Sequence, residues 1–215
     1  MNGKHKPAYV SNLNHLEITY YHSLSDKKIK TIVDTFPNII HLDFKNSIGF
    51  AITDKGLCAI IGSCRKLEHL NISYCGNISD KSLFEIAENC HNLQEFHFAE
   101  TRRITDKSIC CILNSCPNLR KFDIAYSKGE IKDASTLMQR CLNIEYLDFA
   151  GVMALQNDAL IIAIIKGSPN LRHIEISGND IGDEVTEALA HSCHKLEYLD
   201  LNLEGCENIN KKAMD

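Results

Sequence analysis

Eight short segments of one pattern, apolar-x-x-apolar-x-apolar, recur along this chain at nearly even intervals. They read LNHLEI, IIHLDF, LEHLNI, LQEFHF, LRKFDI, IEYLDF, LRHIEI and LEYLDL, beginning at Leu13, Ile39, Leu67, Leu93, Leu119, Ile144, Leu171 and Leu196. Successive starts differ by 26, 28, 26, 26, 25, 27 and 25 residues. A period in this range marks stacked supersecondary units, each too small to bury its own apolar face. The repeat spans about residues 10–210 of the 215, so the chain reads as a single domain, 1–215.

One unit shows the physics. In LEHLNIS, Leu67, Leu70 and Ile72 point inward while His69, Asn71 and Ser73 project from the other side. Alternation over Leu70–Asn71–Ile72 is the mark of a half-buried strand. After a turn at Tyr74–Asn77, Ser79 is placed to cap a helix, and Asp80 favours the positive end of its dipole. Leu83, Ile86, Ala87 and Cys90 then form one apolar helical stripe. The same offsets recur in Ile29/Ile32/Val33/Phe36, Leu57/Ile60/Ile61/Cys64, Ile109/Ile112/Leu113/Cys116, Ala134/Leu137/Met138/Cys141 and Ile161/Ile164/Ile165/Ser168. Thr186/Leu189/Ala190/Cys193 is a weaker copy.

Stacking such units makes consecutive strands parallel neighbours on the inside of an arc, with the helices outside. Eight strands spaced ~4.8 Å apart give an inner sheet about 35 Å across, wide enough for a protein partner. Residues 1–12 show no helix to cover the first strand, and the last unit stops at INKKAMD. Uncapped ends are the expectation for a piece of a longer product.

Composition removes several classes. A formal net charge of −5 with scattered Lys and Arg lacks the basic stripe of a nucleic-acid binder. The longest apolar run, Ala159–Ile165, is too short to span a bilayer, and the first twenty residues hold no secretory core. Neither nucleic acid nor membrane is an expected partner, and the expected location is the cytoplasm or nucleus. The ten cysteines contain no C-x-x-C. Cys64, Cys90, Cys116, Cys141 and Cys193 share a slot that Phe36 and Ser168 also fill, so it is a packing position. Neither a Gly-rich phosphate loop, G-x-S-x-G nor H-E-x-x-H occurs, and no catalysis is expected.

The run C-x-x-L-x-x-L-x-I…I-[ST]-D-K-x-L-x-x-I…C is seen whole in CRKLEHLNISYCGNISDKSLFEIAENC, Cys64 to Cys90. It resembles the cysteine-containing leucine-rich repeat of F-box/LRR proteins, and that of the stand-alone antagonist-of-mitotic-exit proteins. The resemblance implies an α/β leucine-rich-repeat solenoid shaped as a horseshoe arc. A second family cysteine is matched here by Cys75 alone, with Ser47, Thr101, Ser127, Val152 and Asn179 in the other copies. In F-box proteins of this kind the arc holds a substrate while an N-terminal F-box docks on a Skp-cullin ubiquitin ligase. This chain has no Trp and no F-box-like helical segment ahead of its first repeat. The resemblance therefore implies the substrate-recognition repeats of an SCF-type receptor, with the ligase machinery as a partner if an F-box lies elsewhere. The alternative is a stand-alone repeat scaffold or antagonist that binds a regulatory protein.

Partner-facing residues are expected between the buried positions of the strands. One column reads Glu17, Asp43, Asn71, His97, Asp123, Asp148, Glu175 and Asp200, mostly acidic and suited to a basic segment. The bland reading is that polar residues are simply usual there. The second column reads His15, His41, His69, Glu95, Lys121, Tyr146, His173 and Tyr198. Candidate contacts are Asp43, His69, Asn71, His97, Asp123, Tyr146, Asp148, His173, Glu175, Tyr198 and Asp200. Tyr146 and Tyr198 offer large contact area at low entropic cost. Tyr20, Tyr74 and Tyr126 either extend this surface along the rim or pack against the next repeat. His41 and His69 beside Asp43 offer donors to a transition metal. Parallel side chains point the same way, however, and no convergent third ligand is evident, so the column reads as solvated and no metal or other cofactor is expected.

Overall fold

The strands of this chain are three residues long because only the central part of each repeat alternates. They are β1 (His15–Glu17), β2 (His41–Asp43), β3 (His69–Asn71), β4 (Glu95–His97), β5 (Lys121–Asp123), β6 (Tyr146–Asp148), β7 (His173–Glu175) and β8 (Tyr198–Asp200). They form one parallel sheet in the order β1 to β8, open at both ends. The structure is a computed structural model, and it describes residues 9–21, 24–45, 52–127, 143–152 and 158–201. The helices are α1 (Tyr9–Asn12), α2 (Asp26–Thr35), α3 (Asp54–Ser63), α4 (Asp80–Asn89), α5 (Asp106–Ser115), α6 (Ala159–Gly167) and α7 (Asp183–Ser192). The expected stripe through Ala134, Leu137, Met138 and Cys141, together with Ser47 and the end of the last unit, lies outside the described residues.

The expected eight-repeat α/β leucine-rich-repeat solenoid is what forms. Leu42, Leu70, Phe96, Phe122, Leu147 and Ile174, the middle residues of six successive strands, are fully buried. They belong to one continuous apolar core with helix residues such as Ile29, Leu57, Leu83, Ile109 and Ile161. Phe96, Phe98, Phe122 and Phe149 fill its centre, with Phe98 and Phe122 edge-to-face at 5.4 Å and Phe122 and Phe149 at 6.3 Å. The backbone ladder continues past each strand: Ile72 N–H donates to the His97 carbonyl and Tyr74 N–H to that of Ala99, both at 2.8 Å.

One expectation fails. A four-residue helical turn, α1, does precede the first strand, and its Val10 is buried. One turn is too short to show helical periodicity in a sequence. Asn38 ties this turn to the next repeat by donating to the Ser11 carbonyl at 2.9 Å.

Local residue choices explain the corners. Three residues past the strand end, the backbone enters the left-handed region at Tyr20, Tyr74, Glu100, Tyr126, Gly151 and Gly178, with φ between 54° and 69°. This turns the chain from the sheet toward the helix side. Ser79 caps α4 by accepting from Lys81 N–H, as expected, and Thr53 does the same for α3 from Lys55 N–H. Cys64, Cys90, Cys116 and Cys193 end their helices, each donating its backbone N–H to a carbonyl four residues back. Their thiols are buried and free. Burial pushes Cys64 up to about 11, and Cys90 and Cys116 up to about 12, as a packing role requires.

Candidate protein-binding face

Strand register brings the two polar columns together as expected. His15, His41, His69, Glu95, Lys121, Tyr146, His173 and Tyr198 are consecutive lateral partners, as are Glu17, Asp43, Asn71, His97, Asp123, Asp148, Glu175 and Asp200. The face divides into two chemically different halves.

From β1 to β4 it is histidine-rich. The rings of His15 and His41 stack at 3.7 Å, those of His41 and His69 at 3.8 Å, and His97 follows His69 at 5.6 Å. Carboxylates brace the stack: His69 Nδ1 lies 2.9 Å from Glu95 Oε2, and His97 Nδ1 lies 3.2 Å from Asp123 Oδ2. Glu95 also takes the Lys121 ammonium at 2.8 Å. Burial holds the His41 and His69 rings below the usual imidazole range, and neighbouring imidazoles push the same way. Within the column His41 and His69 are thus half-buried, while His15, Lys121 and Tyr198 stay exposed.

From β5 to β8 the face is acidic and aromatic. Asp123, Asp148, Glu175 and Asp200 sit on four adjacent strands. Tyr146 stacks on His173 at 4.4 Å, and His173 on Tyr198 at 4.2 Å. Tyr146 donates its hydroxyl to Glu175 at 3.2 Å, and His173 Nε2 lies 2.7 Å from the same carboxylate. Burial, then repulsion from Asp123 and Glu175, lifts the Asp148 carboxyl to about 6. Among the described residues no Lys or Arg forms an ion pair with it.

Most of the sequence candidates share this face, but Asn71 contributes little surface. It is 7% exposed, and its side chain donates to Asp43 at 3.1 Å and accepts from Ser73 N–H. Tyr20 and Tyr126 are well exposed, at 70% and 52%. Tyr126 also packs on the next repeat, because a Cβ at Gly151 would fall 2.5 Å from its ring. Sequence reasoning placed His15, His41 and His69 side by side in one column but missed the bracing of His69 by Glu95.

The Leucine Rich repeat family matches residues 63–87 and 167–190. F-box protein SKIP19 of Arabidopsis thaliana is 31% identical over 88 residues, 41% of this chain and 28% of that protein. F-box/LRR-repeat protein 5 of Danio rerio is 32% identical over 73 residues, covering 34% of this chain and 11% of that protein. Over these segments the repeats are similar to those of F-box and F-box/LRR proteins. This chain spans less than a third of the length of the curated relatives it matches. Its fold is shared with a chain from the crystal structure of the Rad7 and Elc1 complex in yeast, at TM-score 0.58 and 17% identity over 94% of this chain and 59% of that one. Among the described residues no helix of these repeats is long and apolar enough to cross a membrane.

Proposed function

We propose that this chain is a protein-binding module whose inner sheet, centred on β5 to β8, docks a segment carrying Lys or Arg. The observation that carries this is the acidic row Asp123, Asp148, Glu175 and Asp200 flanked by the Tyr146–His173–Tyr198 stack. The Asp148 carboxyl is raised to about 6 by burial first and by repulsion from Asp123 and Glu175 after it. A cation laid across them relieves that repulsion, and the stacked rings supply rigid contact area.

The finer reading is that these are the substrate-recognition repeats of an SCF-type ubiquitin ligase receptor. The F-box relatives and the repeat subclass support it. In that role the chain positions a target and performs no chemistry itself. A repeat protein that sequesters its partner without a ligase is the second reading, favoured by the repeat pattern it shares with the stand-alone family.

The test is affinity capture with the wild-type chain and with Asp123→Ala/Tyr146→Ala/Asp148→Ala, both checked for equal circular dichroism. Proteins lost from the triple variant are inner-face partners; a set unchanged by it moves the site to the loops or helices. Capture of Skp-type and cullin subunits with the full-length gene product supports the ligase reading, and partners without them support the second.

A further inference from the structure

The histidine half of the inner sheet holds an arrangement that the protein-docking reading leaves unused. Three overlapping groups of donors occur there, His15/Glu17/His41, His41/Asp43/His69 and His69/Glu95/His97, with ligand atoms within 4.8 Å of one another in each. Existing bonds discriminate among them. In the first group His15 Nε2 is taken by Glu17 at 2.9 Å, and both side chains are exposed. In the third, Glu95 already serves His69 and Lys121, and His97 Nδ1 serves Asp123. The middle group is open. His41 Nε2 and His69 Nε2 are both buried and have no hydrogen-bond partner among the described residues. Glu17 lies 3.6 Å from His41 Nε2, beyond hydrogen-bond reach.

We propose that His41, Asp43 and His69 bind a divalent transition-metal ion of the zinc class, with Glu95 as the positioning residue behind His69. Glu95 can only accept, so His69 carries its proton on Nδ1 and presents a lone pair at Nε2. A carboxylate holding the far nitrogen is the usual support of a metal-bound imidazole. Asp43 is oriented likewise: one oxygen accepts from Lys45 N–H at 2.6 Å and the other from Asn71 at 3.1 Å, each keeping capacity for a cation. Two imidazoles and one carboxylate suit zinc and its borderline neighbours rather than calcium or magnesium. The rings now stack within 8° of parallel at 3.8 Å. Nitrogens bound to tetrahedral zinc stand about 3.3 Å apart for bonds of about 2.05 Å, so each ring turns about 55° out of the stack to aim its lone pair at the ion. The fourth position is left to water or to a side chain of whatever occupies the face.

The experiment titrates the metal-stripped full chain with Zn²⁺ by calorimetry and with Co²⁺ by visible absorption. The expected result is one ion per chain, a micromolar or tighter dissociation constant, and the d–d bands of four- or five-coordinate cobalt. Glu95→Gln keeps the stoichiometry and weakens binding about 10–100-fold. His69→Gln abolishes it, while His91→Gln, at an exposed helix end away from this face, binds like wild type. Absence of a one-to-one event in the wild-type chain overturns the proposal without reference to any variant. So does binding that a folded His69→Gln chain retains. Partner capture is not a readout here, so the fate of the docking reading is decided separately.

Discussion

The Asp80 carboxylate accepts both hydrogen-bonding groups of Thr105, the backbone N–H at 2.7 Å and the hydroxyl at 2.8 Å. It also accepts from the Ser108 hydroxyl at 2.6 Å. The first residue of one helix thus completes the cap of the next. Asp26 does the same for Thr53 and Asp54 for Ser79 and Ser82, and Asp158, the N-cap of α6, accepts from the Gly182 N–H. A part-buried charge-assisted bridge of this kind couples neighbouring repeats on the helix side, in addition to the strand ladder and the shared apolar core.

Asp80→Ala leaves the Thr105 N–H and hydroxyl short of an acceptor and is expected to cost about 2–4 kcal/mol. Asp80→Asn keeps one acceptor and costs less. Urea unfolding followed by circular dichroism measures both. Equal stability of Asp80→Ala and wild type contradicts the coupling role.

Asp148 gives a pH signature. Its carboxyl stands at about 6 in the folded chain against an ordinary 3.8, so the folded state keeps a proton that the unfolded state has released. That contribution is present at low pH and is lost as pH rises through about 6. Asp148→Asn removes the buried charge and still accepts from Ala150 N–H. The variant therefore melts higher than wild type above pH 6, and its advantage vanishes toward pH 3.8. Paired melting curves across this range check it; a constant difference contradicts it.

Thiol reactivity tests the packing role of the cysteines. Cys75, Cys90 and Cys116, buried and with thiols pushed up to about 12, stay unalkylated in the native chain. Among the described cysteines the partly exposed Cys58 and Cys111 react first. Mass spectrometry after brief iodoacetamide treatment reads this out. Native labelling of Cys90 contradicts it.

Phe122→Ala removes a fully buried ring that meets Phe98 and Phe149, and costs about 3–5 kcal/mol by chemical denaturation. A loss near that of a surface substitution contradicts the packing described for the core.

The architecture was legible because each Leu–x–x–Leu–x–Ile segment commits its alternate residues to opposite faces, which places both columns in register without further information. Side-chain torsions are not written in spacing. The columns were visible, but not the tilt that joins His69 to Glu95 or the burial that closes the histidine stack. Asp80 read as a helix-dipole residue, whereas its carboxylate reaches the following repeat; recurrence of Ser or Thr before Asp at Ser25, Thr53, Ser79 and Thr105 was the available signal. The left-handed turn at Tyr20, Tyr74 and Tyr126 was hidden because tyrosine seldom adopts it. Gly151 and Gly178 in the same slot carried the hint.

The central claim is that a partner lies against the inner sheet rather than the helices. A photo-crosslinking residue placed at Asp123 or His173 tests it in living cells, beside control positions Glu88 and Lys107 on α4 and α5. The account predicts discrete covalent adducts from the two strand positions and none from the helix positions. Adducts from Glu88 or Lys107 alone would place the partner on the helical side and contradict it.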